Sequence, residues 1–565
     1  MNYKKSIIYS ALSLGLTISG VAQSPQYSLN GLGRSIISNN NLSGASVKDA
    51  ETTQKANISG YNLFDLQTNL DVDSTFHAKA IFRTRSPFGT SFGSQTNFEF
   101  RQFAMGGKLN NLKYELGDLR VELTPYTVFN ADLAATGFES ELFSERREIL
   151  EYENFNDGNT WLLQGASGQY GWNLKEQSGL GLYAFTTRTA STNELDLVDR
   201  LLSGGRFEYV LSKHIKFGLN EVALYDLAVA TAEYDYWNNV TTGDFKYNRE
   251  TEGAVVDFSA EFGGSQFSYT RNVDTTTQEF SDMVVDVDFS YGIKKSGIVI
   301  GADFRRVGAT FFSPTAQSRR YISNGNPLLF NKIDGKGRSQ QYFDQFTDED
   351  VYSNSITPAL MAFNQYYNNL TPYGDATPNR TVFGIDVATD TSITGFEAKA
   401  EFDYGTEIVG EGGDALRAFM VVNAGGVVKL GNLLDIDRQI KVTAGVRYEN
   451  TSRNEGAKVD LASTLVDFGL SAEVAKKVDL LAGVKYFGAS GNEFIANRDG
   501  FNLVTGFEGY DIDVNETVFS FGGRIRFSKY QSFNLNYNIA QFVDNNEVNS
   551  ELSIGQLFFN YTGKF

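Results

Sequence analysis

Histidine and cysteine, which often carry acid–base or nucleophilic chemistry near neutral pH, are scarce in this chain. Its 565 residues include two histidines, His77 and His214, and no cysteine. His214 lies in the polar stretch SKHIK and His77 lies near Lys79 in FHAKAIFRTR, and neither belongs to a recognisable catalytic motif. No glycine-rich phosphate loop or metal-ligand spacing stands out. We therefore predict that the protein is not an enzyme and that it holds no cofactor or metal.

Carboxylates two residues apart are the other candidates for chemistry. Asp286 and Asp288 in MVVDVDFSYGI would project from the same face of an extended strand. Such a pair can share acid–base work, but it is also what a strand lining water looks like. Arginines recur with the same spacing at Arg524 and Arg526. We interpret these residues as parts of a polar wall.

The elements that would position these charges are long strands with a period of two. In QIKVTAGVRYEN the apolar residues from Ile440 to Tyr448 alternate with polar ones, and SFNLNYNIA alternates in the same way from Phe533 to Ile539. The stripes are as long as the roughly 9–11 residues that a tilted strand needs to cross a bilayer, whereas strands of soluble sandwiches have about 5–6 residues. We therefore favour a membrane barrel over a soluble sandwich.

Composition agrees with an all-β protein. Aromatic residues make up 14% of the chain, with 55 glycines and only 8 prolines. No stretch of about 18 apolar residues follows the N-terminal segment, so no transmembrane helix is predicted. The 68 acidic residues exceed the 49 basic ones, giving a formal net charge of −19. Because nucleic-acid binding calls for a basic face, we expect no nucleic-acid partner.

Connections alternate between short turns and long loops along the chain. Long connections fall at roughly 37–56, 121–158, 229–249, 313–380 and 490–515. The pattern predicts an antiparallel up-and-down β-barrel of about 22 strands, within a range of about 18–22, with short periplasmic turns and long extracellular loops. Its first strand is expected at 26–37, and its last must pair with the first because an open edge cannot face lipid.

The two ends of the chain indicate export and assembly. Lys4, Lys5, an apolar run and Ala22 are typical of a signal peptide over 1–22, which leaves 23–565 as the barrel. The apolar alternation before the terminal residue resembles the assembly signal of Gram-negative outer-membrane β-barrel proteins. The matching residues are Leu557, Phe559, Tyr561 and Phe565, and Gly563 departs from the pattern.

The Ala22-Gln23 junction and the acidic chain rich in Asn, Tyr and Phe resemble proteins exported by Bacteroidota. Together these resemblances imply a β-barrel in the cell outer membrane, with outer-membrane lipid and the barrel-assembly machinery as partners, and they name no function.

Charged residues on the polar strand faces are predicted to line the lumen. Arginines near the first and last strands would form a basic sector, and carboxylates on middle strands an acidic one, creating a field across a wide pore. The alternative is a lumen closed by the same residues as ion pairs. The candidates are Arg83, Arg85, Arg101, Asp286, Asp288, Glu397, Arg447, Arg524 and Arg526.

Two long loops are candidates for further roles. Five of the eight prolines lie in 313–380, together with many aromatics, so we expect a folded constriction, plug or docking surface there. The second loop, 121–158, contains the charged stretch ESELFSERREILEYENF, which we interpret as a short helix with a solvated face.

Two functions from different classes remain open. The first is a porin-like channel for small polar or charged solutes, with 313–380 as its constriction or plug. The second is a structural or accessory barrel subunit of an outer-membrane machine for secretion, barrel assembly or surface-protein export, which would bind a protein partner through its outer loops. A transporter for a fatty or glycan ligand is a lesser alternative.

Overall fold

The segments with alternating polarity form strands, and each strand of the wall pairs antiparallel with its neighbours. The structure is a computed structural model. It describes residues 25–45, 58–72, 75–88, 96–131, 135–154, 163–175, 177–190, 199–227, 234–271, 276–318, 321–323, 350–352, 360, 366–389, 395–498 and 504–565. The predicted signal peptide 1–22 lies outside the described residues, as does much of 313–380.

The wall is one sheet of 22 strands that closes on itself, which confirms the predicted fold class. The first eleven are β1 (Gln26–Ser43), β2 (Ile58–Val72), β3 (Phe76–Pro87), β4 (Asn97–Leu109), β5 (Leu112–Asp118), β7 (Gln164–Lys175), β8 (Ser178–Ala190), β9 (Arg200–Ser212), β10 (Ile215–Asp226), β11 (Tyr234–Glu250) and β12 (Ala254–Arg271). The other eleven are β13 (Thr276–Ile293), β14 (Ile298–Val307), β18 (Arg380–Thr389), β19 (Phe396–Thr406), β20 (Ala418–Lys429), β21 (Ile440–Arg453), β22 (Val459–Ala475), β23 (Val478–Arg498), β24 (Val504–Ser528), β25 (Gln531–Asp544) and β26 (Leu552–Lys564).

Six short elements complete the described structure. Four are strands of three residues and two are helices. They are β6 (Phe129–Ala131), β15 (Ala316–Ser318), β16 (Tyr321–Ser323), β17 (Asp350–Tyr352), α1 (Glu141–Asn154) and α2 (Leu430–Leu433). No described helix is long and apolar enough to cross a membrane.

The ring closes between the first and last strands, as predicted. β26 pairs antiparallel with β1, with Phe559 opposite Ile37. The backbone N–H of Gly31 donates to the carbonyl of Phe565 over 2.9 Å, and the N–H of Phe565 donates to the carbonyl of Gly31 over 3.0 Å. Because both strand edges are paired, the backbone groups of the seam are satisfied within the wall.

The two faces of the wall follow the alternation of the sequence. On β25, Leu535 and Tyr537 point outward and are exposed, whereas Asn534, Asn536 and Asn538 point inward and are buried. An apolar outer belt around a polar interior is the arrangement of outer-membrane-type barrels and the reverse of a soluble protein. β1 begins and β26 ends at the rim of the tight turns, called here the short-turn rim; the opposite rim is called the long-connection rim.

The interior of the barrel is occupied by the chain itself. We call the described residues 119–131, 135–154, 308–318 and 366–379 the interior plug. Its two halves meet where β6 and β15 pair in parallel. Tyr126 and Phe311 are at most 1% exposed, and Val121 and Phe312 pack against apolar residues on the inner wall.

The interpretation of ESELFSERREILEYENF as a solvated face is wrong. This stretch contains α1, whose Leu142 and Phe143 are buried inside the barrel. Segments of both long loops therefore enter the lumen, and 313–380 is not its sole occupant. The physical reason is that the inner wall carries charges opposite to those of α1. These wall charges stabilise the charged side chains of the helix in place of water.

Candidate functional site

The short-turn half of α1 lies against a basic part of the wall. Arg524 on β24 donates from Nη2 to Glu141 Oε2 over 2.8 Å, and its Nη1 also contacts Glu145. Lys485 on β23 donates to Glu139 Oε2 over 2.8 Å and lies 3.3 Å from Asp467. Glu141 and Glu145 are four residues apart, so one side of the helix presents both carboxylates to the same guanidinium.

The far end of α1 is enclosed by arginines and one tyrosine of the first strands. Glu153 accepts from Arg34 Nη1 over 2.7 Å and from the Tyr61 hydroxyl over 2.6 Å. The Tyr152 hydroxyl donates to Asp65 over 2.7 Å, and the Arg101 guanidinium lies 4.2 Å from the centre of the Tyr152 ring. Both ends of the helix are thus fixed to the wall by charge-assisted contacts.

These ion pairs are buried, which makes them mutually dependent. The side chains of Arg34 and Glu153 are 6% and 4% exposed, and that of Lys485 is 2% exposed. Removing one partner of such a pair leaves an uncompensated buried charge, at a cost of about 3–5 kcal/mol. The pairs therefore specify the position of α1 more than they stabilise the barrel.

Apolar contacts hold the middle of α1. Phe143 belongs to a buried cluster with Tyr367 of the interior plug and Phe487 of β23. Ile149 packs in a second cluster with Phe558 of β26, and the Arg146 guanidinium lies 4.1 Å from the centre of the Phe558 ring. Phe558, the apolar exception on the polar face of the last strand, therefore contacts the plug.

Glu139 lies on the interior plug and outside the strands of the wall. Burial raises the pKa of this carboxyl, but the charges of Lys485 and Arg147 lower it by more, so the pKa lies below its ordinary value. Glu139 is therefore an anion at neutral pH and can hold its two cationic partners at the start of α1.

An open chamber lies between the plug and the middle strands. Its volume is about 680 Å³, and Thr136 and Phe138 of the plug form one side. It reaches the short-turn rim at Thr389, the last residue of β18, and at Glu397 of β19. Seven carboxylates line it against three cationic side chains; the carboxylates are Asp286, Asp288, Asp303, Asp375, Glu397, Glu401 and Asp403, and the cations are Arg305, Lys399 and Arg447.

The charges of the chamber are only partly paired. Arg305 contacts Asp375, and Lys399 lies 2.8 Å from Glu401. Arg447 pairs with Glu449 over 2.6 Å. Within the described part of the chain, the other carboxylates that line the chamber form no salt bridge. Asp288 and Glu397 are also exposed, so water reaches them.

The structure separates the predicted lumen charges into two groups. Asp286, Asp288, Glu397 and Arg447 line the chamber. The remaining arginines are paired around the plug or with the wall: Arg83 and Arg101 with Asp65, Arg85 with Glu153 at 4.0 Å, Arg524 with α1, and Arg526 with Asp479 and Glu473. The acidic sector therefore faces open space, whereas α1 lies over much of the basic one.

The predicted closing residues lie on the outside of the seam. Leu557, Phe559 and Tyr561 alternate outward, opposite the buried Gln556, Phe558 and Asn560. The Phe565 ring stacks on that of Phe64 with 5.7 Å between the ring centres.

Sequence reasoning missed the residues that fix the plug, namely Glu139, Glu145, Tyr152, Glu153 and Lys485. The four-residue spacing of Glu141 and Glu145 was a usable signal for a one-sided acidic helix. The sequence held no signal for their partner, because Arg524 is 379 residues away from Glu145.

No metal site emerges in the residues that the structure describes. No group of three or more His, Cys, Asp or Glu side chains in the described ranges is placed to hold a metal ion. His214 lies at the turn between β9 and β10, where its Nδ1 is 2.7 Å from the carbonyl oxygen of Asn248.

Comparison with known proteins finds similar barrels and no family. No protein-family model and no curated protein matches the chain. Similar solved structures include Pseudomonas aeruginosa OccK11 (OpdR), at 8% identity and a TM-score of 0.38, covering 95% of this chain and 96% of that one. The ferric citrate transporter FecA in its unliganded form is 10% identical with a TM-score of 0.44, covering 95% of this chain and 78% of that one.

The Pseudomonas aeruginosa outer membrane protein OprD is 10% identical with a TM-score of 0.35, covering 95% of this chain and 94% of that one. These similarities concern the barrel as a whole.

Proposed function

We propose that the protein is a porin-like channel of the cell outer membrane for small, positively charged or dipolar solutes, with the interior plug as its constriction. The observation that carries the proposal is the acidic chamber beside the plug. A structural barrel would not need an open, water-accessible space lined by carboxylates. A solute-conducting barrel needs such a space on the path of its solute.

The outer surface supports a position in a membrane. Exposed apolar residues such as Phe383, Ile385 and Val387 follow each other on the outward face of β18. In water such a belt would aggregate, whereas in lipid it is the stable surface. Closed barrels of this kind reside in outer membranes, and the predicted signal peptide 1–22 provides the matching export route.

The charge of the chamber supports a preference for cations. The chamber carboxylates that lack a salt bridge attract cations and repel anions, and the low-dielectric barrel wall focuses their field into the lumen. The basic wall that would attract anions is largely covered by α1. A dipolar solute would bind with its positive end toward the Asp286 side of the chamber.

The plug supports a narrow passage. The chamber borders Thr136 and Phe138 of the plug and extends to Asn423 and Arg447 on β20 and β21. A solute entering at the short-turn rim therefore meets the plug before it reaches the long-connection rim. We accordingly expect small solutes to pass and large ones to be rejected.

The reversal potential of the purified barrel tests this proposal. In a planar bilayer with a KCl gradient, we expect a cation-selective current. Neutralising the chamber with Asp288→Asn, Glu397→Gln and Asp403→Asn together is expected to move the reversal potential toward zero. Glu279→Gln is the matched control, because Glu279 lies on β13 like Asp288 but on the outward face.

Either of two results would overturn the proposal. One is a barrel that carries no current, which would favour the accessory-subunit function and docking on the long loops. The other is an anion-selective current that the chamber variants do not change.

A further inference from the structure

One sector of the outer belt is polar at mid-depth. On β10 the outward residues are Phe217, Leu219, Glu221, Ala223 and Tyr225 in order. Glu221 is exposed and has apolar outward neighbours on both sides along the strand. With a rise of about 3.3 Å per residue and a tilt of about 40°, it lies roughly 10 Å from each flanking aromatic. This position is within the hydrocarbon layer.

Polar and small residues surround Glu221 on the neighbouring strands. Asn239 on β11 donates from Nδ2 to Glu221 Oε1 over 3.2 Å, and the Thr241 hydroxyl donates to Asn239 Oδ1 over 3.2 Å. The exposed side chain of Gln266 on β12 follows, and among the described residues its side-chain amide has no hydrogen-bond partner, although its backbone carbonyl accepts from Asn238. We call Ser203, Gly205, Glu221, Asn239, Thr241, Gly264 and Gln266 the belt patch.

Such a patch is unfavourable against lipid. A single hydrogen bond satisfies one oxygen of the Glu221 carboxylate, and lipid tails offer no donor for the rest. At comparable distances from the short-turn rim, the opposite wall presents Leu535 and Tyr537 of β25. The belt patch is therefore polar where the opposite wall is apolar. A protein surface that offers hydrogen bonds would cover it more favourably than lipid.

We propose that the belt patch is the contact surface for a second copy of this chain. Its chemistry is self-complementary, because the Glu221 carboxylate has capacity left to accept, while the side-chain amides of Asn239 and Gln266 have N–H groups left to donate. Two copies in one membrane share the same orientation, so patch meets patch at the same depth. Gly205 and Gly264 leave room for the two walls to approach closely.

This inference goes beyond transport and requires only that the barrel crosses a bilayer. The conductance of one barrel does not depend on a neighbour. A protein that does not self-associate would therefore not contradict the proposed channel function. A barrel that carries no current would likewise not contradict the proposed self-association.

Cross-linking through a single cysteine tests the contact, because the natural chain has no cysteine and a lone one can bridge only to another molecule. We expect Thr241→Cys, treated in isolated membranes with a short bis-maleimide, to give a covalent dimer of the chain. Leu535→Cys on the opposite wall is the matched control and should stay monomeric. A monomeric Thr241→Cys, equal cross-linking of both variants, or an adduct with a different protein would overturn the proposal.

A second measurement removes the polar groups themselves. We expect the native mass of the purified protein in mild detergent to be a multiple of the chain mass. Combining Glu221→Leu with Asn239→Leu should reduce that mass to one chain while the barrel remains folded. Asn62→Leu, an outward polar position on β2, should leave the mass unchanged. A wild-type protein of one chain would contradict the inference.

Discussion

At the scale of single residues, Lys485 links the wall to the plug. Its ammonium lies between Glu139 of the plug and Asp467 of β22, and it is 5.3 Å from the centre of the Phe143 ring. Asp467 and Phe143 are buried and the Glu139 side chain is 10% exposed, so water has little access to replace this charge. Lys485 therefore ties the start of α1 to the wall through Glu139, beside the contacts of Arg524 with Glu141 and Glu145.

Replacing this cation should loosen the start of α1. We expect Lys485→Met to lower the local opening free energy of residues 136–147 by about 3–5 kcal/mol, because the buried Asp467 loses the charge of Lys485 and Glu139 is left with Arg147. Amide hydrogen exchange measured by mass spectrometry reports the change. Adding Asp467→Asn should restore part of the protection, since it removes one unpaired charge. Unchanged exchange in Lys485→Met would show that the pair does not hold the plug.

The sequence predicted correctly which face of a strand a residue lies on, but it did not predict which residues form ion pairs. The period of two placed Asp286 and Asp288 on one face, and both line the chamber. That Arg524 would pair with α1 was not predictable, because a pairing partner 379 residues away follows from the closed ring and from which loop enters it. The face on which a strand residue lies follows from its local sequence. The residue with which it forms an ion pair in the lumen depends on the whole fold.

At the scale of elements, β1 is closely packed at Gly31, both against β2 and at its seam with β26. A Cβ at this position would lie 2.2 Å from Phe565 Cζ and 2.6 Å from the backbone oxygen of Asp65. The backbone oxygen belongs to the β-ladder and cannot move away without breaking it. Gly33, two residues along on the same face, has no atom within 4 Å of such a Cβ.

The difference in space around Gly31 and Gly33 predicts different effects of an alanine at the two positions. We expect Gly31→Ala to reduce the free energy of unfolding by about 1–3 kcal/mol through overpacking of the seam. Gly33→Ala should be neutral or slightly stabilising, because it restricts the unfolded chain at no steric cost. Urea unfolding of both purified barrels measures the two effects. Equal midpoints for the two variants would mean that the seam is not limiting.

Among the elements, the wall strands were predictable and the location of α1 was not. Alternation identifies a strand because one face meets lipid and the other meets the lumen. The charged residues of α1 match a helix in water equally well. Inside the barrel, arginines such as Arg34 and Arg524 take the place of water, and this substitution is visible only when wall and plug are seen together.

At the scale of the whole molecule, the number of strands determines the need for a plug. A ring of 22 strands is too wide for its own inward side chains to fill. The plug fills part of this space by binding the basic sector of the wall, and it leaves the acidic sector open. The number of strands was predictable because each membrane-spanning strand has its own alternation of apolar and polar residues. The segments that fill the lumen come from loops, which have no such periodicity.

The measurement that tests this account most directly is single-channel conductance with α1 removed. Residues 139–154 would be replaced by a glycine–serine linker in the otherwise complete chain, and the purified barrel compared with the wild type in a planar bilayer. We predict a severalfold larger conductance and a weaker preference for cations, because the basic wall around Arg34 and Arg524 becomes exposed. A conductance and selectivity equal to those of the wild type would contradict the account.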